Sequence, residues 1–251
     1  MKSILLTLAA TMLTLVAAVG DDKLYELRVY HANPGKLDAL HDRFQNHTVA
    51  LFEKHGMTQL GYFVPTDNTE SNTLVYWLAF DDEDARKAAW KAFRDDPDWK
   101  DAYAESTKDG KLVAKIDSTL LKATDYSPAI AVLPKPGDTR LFEWRTYTTN
   151  DGKLPNLNAR FRDHTCALFE KHGMENLAYW TPTAGQDDAD VTLTYLIAHD
   201  DQSARDASFK AFSQDNDWQA ARTASEEDGR LLVKKGVDAV LLSPANYSPT
   251  R

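Results

Sequence analysis

The sequence is poor in cysteine, and Cys166 is the only one in 251 residues, which excludes an intrachain disulfide. Positive charge is also scarce. Lys and Arg number 29 against 38 Asp and Glu, a net charge of −9 with His neutral, whereas phosphate backbones are bound mainly by Lys and Arg; no nucleic-acid partner is expected. Several catalytic signatures are missing. No Gly-x-Ser-x-Gly, phosphate loop or dinucleotide fingerprint occurs, so hydrolase, kinase and nicotinamide-dehydrogenase readings lack support. No His-x-His or His-Glu-x-x-His spacing is present, and Asp187-Asp-Ala-Asp190 occurs in one loop only, so no metal and no other cofactor is expected. What remains is a globular composition, 43% hydrophobic and 27% charged, which argues against wholesale disorder or a collagen-like fibre.

Long apolar runs are absent but for one. Residues 4–19 form a 16-residue stretch behind Met1-Lys2-Ser3, broken only by threonines and ending in Ala18-Val19-Gly20. One positive charge, a short apolar core and small residues before the junction describe a secretory signal peptide over residues 1–20, with a mature chain from Asp21. Export to a periplasm or the medium is expected, with no membrane span after cleavage. An uncleaved membrane anchor is the alternative, although the run falls short of the roughly 20 residues that span a bilayer.

The rest of the chain is written twice. His47-Thr-Val-Ala-Leu-Phe-Glu-Lys-His-Gly-Met57 returns as His164-Thr-Cys-Ala-Leu-Phe-Glu-Lys-His-Gly-Met174, and Tyr25–Thr66 matches Phe142–Thr183 at 24 of 42 positions. After a loop two residues longer in the second copy, Thr73-Leu-Val-Tyr76 answers Thr192-Leu-Thr-Tyr195. Trp99 answers Trp218, and Tyr126-Ser-Pro128 answers Tyr247-Ser-Pro249. The expected organisation is one unit over 21–124, a Pro-rich linker over 125–139 and a second unit over 140–249. Cys166 stands where the first copy has Val49, which reads as a small buried hydrophobe and not as a reactive thiol.

Each copy has the same order of elements. Leu24–His31 alternates as a strand, and Lys36–His55 carries Leu37, Leu40, Phe44, Thr48 and Leu51 at helical spacing, closed by Gly56. Leu60–Val64 and Thr73–Phe80 read as a hairpin. Asp81-Asp-Glu-Asp84 opens a second helix, Asp96-Pro97 breaks it, and a last strand covers Lys115–Ala123. The order β-α-β-β-α-β is that of the ferredoxin-like unit, an α+β fold with both helices on one face of a four-stranded sheet. Two units can cover each other's bare faces, so the sheets are expected to face each other as a fused dimeric α/β barrel.

Tyr25-Glu-Leu-Arg-Val-Tyr30, Gly35-Lys-Leu, Phe-Glu-Lys-His-Gly-Met, Trp90-Lys-Ala-Phe and Asp96-Pro-Asp-Trp99 together resemble the NIPSNAP family, over essentially all of Leu24–Pro128 and Arg140–Pro249. The resemblance implies the dimeric α/β-barrel fold, shared with small cofactor-free monooxygenases and haem-binding chlorite dismutase-like proteins. It carries no accepted catalytic residues. Eukaryotic members are associated with mitochondria, vesicle traffic and recruitment of autophagy machinery, and the export signal sets this chain apart from that biology.

Candidate site residues follow from the alternation of the first strand. If Tyr25, Leu27 and Val29 face the helices, then Glu26, Arg28 and Tyr30 face the barrel interior, with Glu143, Arg145 and Tyr147 at matching positions. Enclosed charges must be paired or solvated. Either an ion network runs between the repeats, the preferred reading, or a polar cavity uses Arg28 or Arg145 to hold an acidic or carbonyl-bearing ligand. His47 and His164 lie on the helical stripe, where each could be a base or an axial haem ligand, and is more simply a hydrogen-bonded core residue. The functional expectation is a barrel that binds a small molecule or a protein partner. A cofactor-independent monooxygenase using the barrel cavity is the alternative, and self-association through a sheet edge or helix face is a third.

Overall fold

The computed structural model describes residues 22–68, 72–129 and 140–251. The leader expected over 1–20 and most of the linker expected over 125–139 lie outside the described residues. In the first unit β1 is Leu24–Ala32, followed by α1 (Leu37–Arg43), a π-helical turn (Phe44–Thr48) and α2 (Val49–Lys54). Next come β2 (Thr58–Pro65), β3 (Thr73–Phe80), α3 (Glu83–Asp95), α4 (Pro97–Ser106) and β4 (Val113–Ala123). The second unit repeats this as β5 (Leu141–Thr149), α5 (Leu154–Arg160), a π-turn (Phe161–Thr165), α6 (Cys166–Lys171), β6 (Glu175–Pro182), β7 (Thr192–His199), α7 (Gln202–Gln214), α8 (Asn216–Ser225) and β8 (Leu232–Pro244).

The two sheets close into one antiparallel barrel of eight strands in the order β1-β3-β2-β8-β5-β7-β6-β4. The seams join one unit to the other: β2 pairs with β8 through Phe63–Pro65, and β4 with β6 through Leu121–Ala123. Closure leaves no open edge. Local chemistry accounts for the helix boundaries. The Asp82 side chain accepts from the Ala85 N–H at 2.7 Å to cap α3, and Asp96 ends α3 while capping α4, with Pro97 in the first helical position. β3 is buried at every position because helices cover one face and the opposite sheet covers the other.

The face assignment of the first strand is the reverse of the sequence expectation. Tyr25, Leu27 and Val29 point into the barrel, where they join Phe63, Val75, Trp77, Leu121, Phe142, Trp180 and Leu242 in one apolar core. Tyr30 points outward into the helical layer with Phe44, Tyr76, Trp90 and Phe93, and Glu26 and Arg28 lie on the same side, bonded to α3. Alternation separates two faces without labelling them. Here both faces are covered, and the middle of the barrel takes the apolar residues because a charge there would be buried away from water. The helical layer is open at its rim, so charged groups remain partly solvated there.

Candidate functional site

The pivot of the first unit is Glu26, fully buried under α3. Its carboxylate accepts from Arg86 Nε at 2.6 Å and Nη2 at 2.9 Å, from Trp90 Nε1 at 2.8 Å and from Ser118 Oγ at 2.7 Å, and Arg28 Nη1 completes the set. Burial pushes this carboxyl up, but the donors and charges of Arg86, Arg28, Ser118 and Trp90 prevail and hold it at about 2. Arg28 also donates from Nε to the Tyr76 hydroxyl at 2.9 Å and from Nη2 to the Tyr30 hydroxyl at 3.3 Å, with its guanidinium 4.5 Å from the centre of the Trp90 ring. These contacts make one wall of a cleft of about 350 Å³ between β1 and α3–α4, lined by Arg28, Tyr30, Arg86, Trp90, Arg94 and Trp99 among others.

Behind this wall Arg43 is 4% exposed. Its guanidinium lies over Trp99 and Tyr103, 5.3 and 5.4 Å from the ring centres; among the described residues its one hydrogen bond is to Ser106 Oγ, at 3.3 Å, and Nε has no partner. Burial pulls the pKa of Arg43 down, with the tyrosines Tyr30, Tyr103 and Tyr76 opposing the shift. The π-turn sets this residue. Val49 N–H bonds to Phe44 O, five residues back, and the Thr48 hydroxyl donates to the Arg43 carbonyl at 3.2 Å.

The second unit keeps the pivot and changes the surroundings. Glu143 accepts from Arg205 Nε at 2.7 Å and Nη2 at 2.9 Å and from Arg145 Nη1. Phe209 and Ala239 stand where Trp90 and Ser118 donate in the first unit, and His199 Nε2, 3.2 Å away, supplies the missing contact. Burial pushes Glu143 up, and these groups hold it at about 2. Arg160 matches Arg43 and faces Glu226, 3.5 Å away, at the position of Thr107.

Six of the eight sequence candidates are thus brought together, as two separate trios: Glu26, Arg28 and Tyr30, and Glu143, Arg145 and Tyr147. The expected network between the repeats is not what forms, because each carboxylate pairs within its own unit on the outside of the barrel. His47 and His164 are exposed, and neither lines the cleft; His164 borders a shallow groove against α8. The wider π-turn rotates them off the stripe and puts Thr48 and Thr165 inside. His55 and His172 sit at helix ends, 2.6 and 2.7 Å from Asp96 and Asp215. Cys166 is half-buried, and burial pushes its thiol up to about 11. Among the described residues, no group of three or more His, Cys, Asp or Glu side chains is placed to hold a metal. Sequence reasoning missed Arg86, Ser118 and His199 as partners of the two carboxylates, and Arg43 behind them. A usable signal existed: Arg86 and Arg205 recur at matching places, as do Glu26 and Glu143.

The NIPSNAP family profile matches residues 25–128 and again 142–249. The chain belongs to the NIPSNAP family. Among solved structures it is similar to a NIPSNAP-like domain protein from Burkholderia xenovorans, 20% identical, covering 47% of this chain and 99% of that one with a TM-score of 0.39. It is also similar to an anthrone oxidase-like protein, 11% identical, covering 92% of this chain and 94% of that one with a TM-score of 0.61. The second likeness shows that the fold of this tandem NIPSNAP chain is shared across the length of another protein. No curated protein matches it.

Proposed function

We propose that this NIPSNAP protein binds a small molecule in the first-unit cleft, between β1 and α3–α4. The observation that carries the reading is the wall itself: Arg28 is fixed by Glu26, Tyr30 and Tyr76 and stacked on Trp90, so a cation and flat apolar surface stand ready beside an open volume. A preformed cleft with a few placed polar groups loses little entropy on binding. The barrel interior supports this choice because Trp77, Trp180, Phe63 and Phe142 are buried there in one apolar core. An oxygenase reaction of the kind suggested by the anthrone oxidase-like neighbour has less support. Glu26 is committed to its donors, and burial raises Tyr76 far above a useful range for a base.

The deciding experiment is a fragment screen of mixed charge, read by NMR at the indole N–H signals. Shifts concentrated at Trp90 and Trp99 are expected. Shifts confined to other tryptophans, or none at any, would overturn the cleft. We further propose export, on the apolar run at residues 4–19 and its small-residue end. An intact mass beginning at Asp21, found outside the cytoplasm, is the expected result; an uncleaved chain in the membrane fraction would replace it with anchoring. No helix of the described residues is long and apolar enough to cross a membrane.

A further inference from the structure

The two units began as copies, so where they differ, one copy measures the other. Arg28, Arg86, Lys87 and Arg94 line the first cleft; among the described residues no carboxylate lines it, and Glu26 is buried behind its wall. Lys87 is engaged at the surface by Glu83, at 2.8 Å. Arg94 makes no ion pair among the described residues. Positive charge is therefore in excess beside the aromatic wall.

The second unit has removed that excess. Asp206 stands in place of Lys87 and pairs with Arg205 at 3.0 Å, and Ser213 stands in place of Arg94. Phe209 replaces Trp90. Two arginines, Arg145 and Arg205, now meet two carboxylates, Glu143 and Asp206. The deeper arginines diverge in the same sense. Both buried Nε atoms lack a partner, but Arg160 has Glu226 as a counter-ion, whereas its twin Arg43 has no carboxylate within ion-pair distance among the described residues. An isolated buried cation is costly, and the cost is offset when a ligand brings the missing negative charge. Arg43 stacks on Trp99, which lines the cleft, so both observations fall on one place.

Resting on the cleft reading above, we propose that the ligand is an organic carboxylate with a flat apolar body, and that each chain binds one such anion, in the first unit only. The planar guanidinium groups suit a carboxylate, and the partly exposed Trp99 beside the edges of Trp90 and Tyr30 suits a ring. At about 350 Å³ the cleft is near the lower end for small-molecule sites, which fits a one- or two-ring acid. At the matching place in the second unit, Arg145 and Arg205 are already paired with Glu143 and Asp206.

The test is a calorimetric titration of the full chain with 1-naphthoate and, separately, with the neutral isostere 1-naphthamide, with the indole N–H signals of Trp90 and Trp99 reporting location. One equivalent of naphthoate is expected, at least tenfold tighter than the amide and weaker in high salt. Lys87→Asp combined with Arg94→Ser copies the second unit at exposed positions; it should weaken naphthoate at least tenfold while leaving the thermal transition in place. Two equivalents per chain, equal affinity for acid and amide, or undiminished binding by the double variant would overturn the proposal. Equal affinity with shifts at Trp90 and Trp99 would leave the cleft reading standing. If neither probe moves those signals, the cleft reading fails and takes the proposal with it.

Discussion

The Tyr247 hydroxyl, carried just beyond the last strand of the second unit, lies 2.8 Å from Nδ1 of His41 in the first unit. Its ring packs on Phe44 and Tyr62, and Ser248 Oγ accepts from the Tyr62 N–H at 2.9 Å. The mirror contact joins Tyr126 to Phe161 and Tyr179, with its hydroxyl donating to Asn158 at 2.8 Å and Ser127 Oγ accepting from the Tyr179 N–H at 3.0 Å. The repeated Tyr-Ser-Pro motif is thus a reciprocal clasp: each unit ends on the other one. Tyr247→Ala should cost about 2 kcal/mol, at the lower end for deleting a large side chain because Tyr247 is only partly buried. Urea unfolding measures it, and a cost below about 0.5 kcal/mol would deny the clasp a role in stability.

The same pair predicts an acid sensitivity. Burial pulls the His41 pKa down from its ordinary 6.5, against the raising effect of Asp38 and Asp42. A depressed folded-state pKa means that the unfolded chain takes up the proton first, so this contribution to stability is full above pH 6.5 and declines as pH falls below it. His41→Asn, which copies Asn158, should flatten that part of the stability–pH curve. An unchanged slope between pH 7 and 5 would contradict the assignment.

Glu26 and Glu143 titrate lower. Each moves from 4.5 to about 2 on folding, so the stability they confer is present above pH 4.5 and is lost as pH falls toward 2. Glu26→Gln should leave Arg28 and Arg86 without their counter-charge and cost about 3 kcal/mol at pH 7. The difference from the parent should shrink as the pH approaches 2, where the parent carboxyl takes up its proton, and chemical unfolding across that range checks it.

Arg43 should behave in the opposite way. Arg43→Met replaces a buried cation lacking a carboxylate with an apolar chain of similar length, so stability should be unchanged or rise by about 1 kcal/mol. Arg160→Met removes the pairing with Glu226 and is expected to be the more costly of the two. Denaturant midpoints of both variants give the comparison; a loss above about 2 kcal/mol for Arg43→Met would mean that its contacts with Trp99 and Tyr103 outweigh the buried charge.

Much of the fold was legible because it rests on local patterns repeated at matching positions. β3 runs over Thr73–Phe80 as read, and the Asp96-Pro97 break falls where a helix cannot continue. The π-turn was not legible. Phe44, Thr48 and Leu51 keep a helical spacing with or without it, yet one widened turn carries His47 from the buried side to solvent. The candidate site was half legible. Glu26, Arg28 and Tyr30 share a strand face by simple alternation, but their partners Arg86, Trp90 and Ser118 lie 60 or more residues on.

By itself, the sequence determined that this chain is two βαββαβ units, where their strands and helices run, and which residues of each strand share a face, since these depend on periods of two and near four along the chain. Tertiary structure alone decided which face looks inward and which charges meet. Barrel closure buries the middle of the inward face of each sheet, and buried charges are costly, so Glu26 and Arg28 went to the helical layer, where Arg86 and Trp90 meet them and a cleft to solvent stays open.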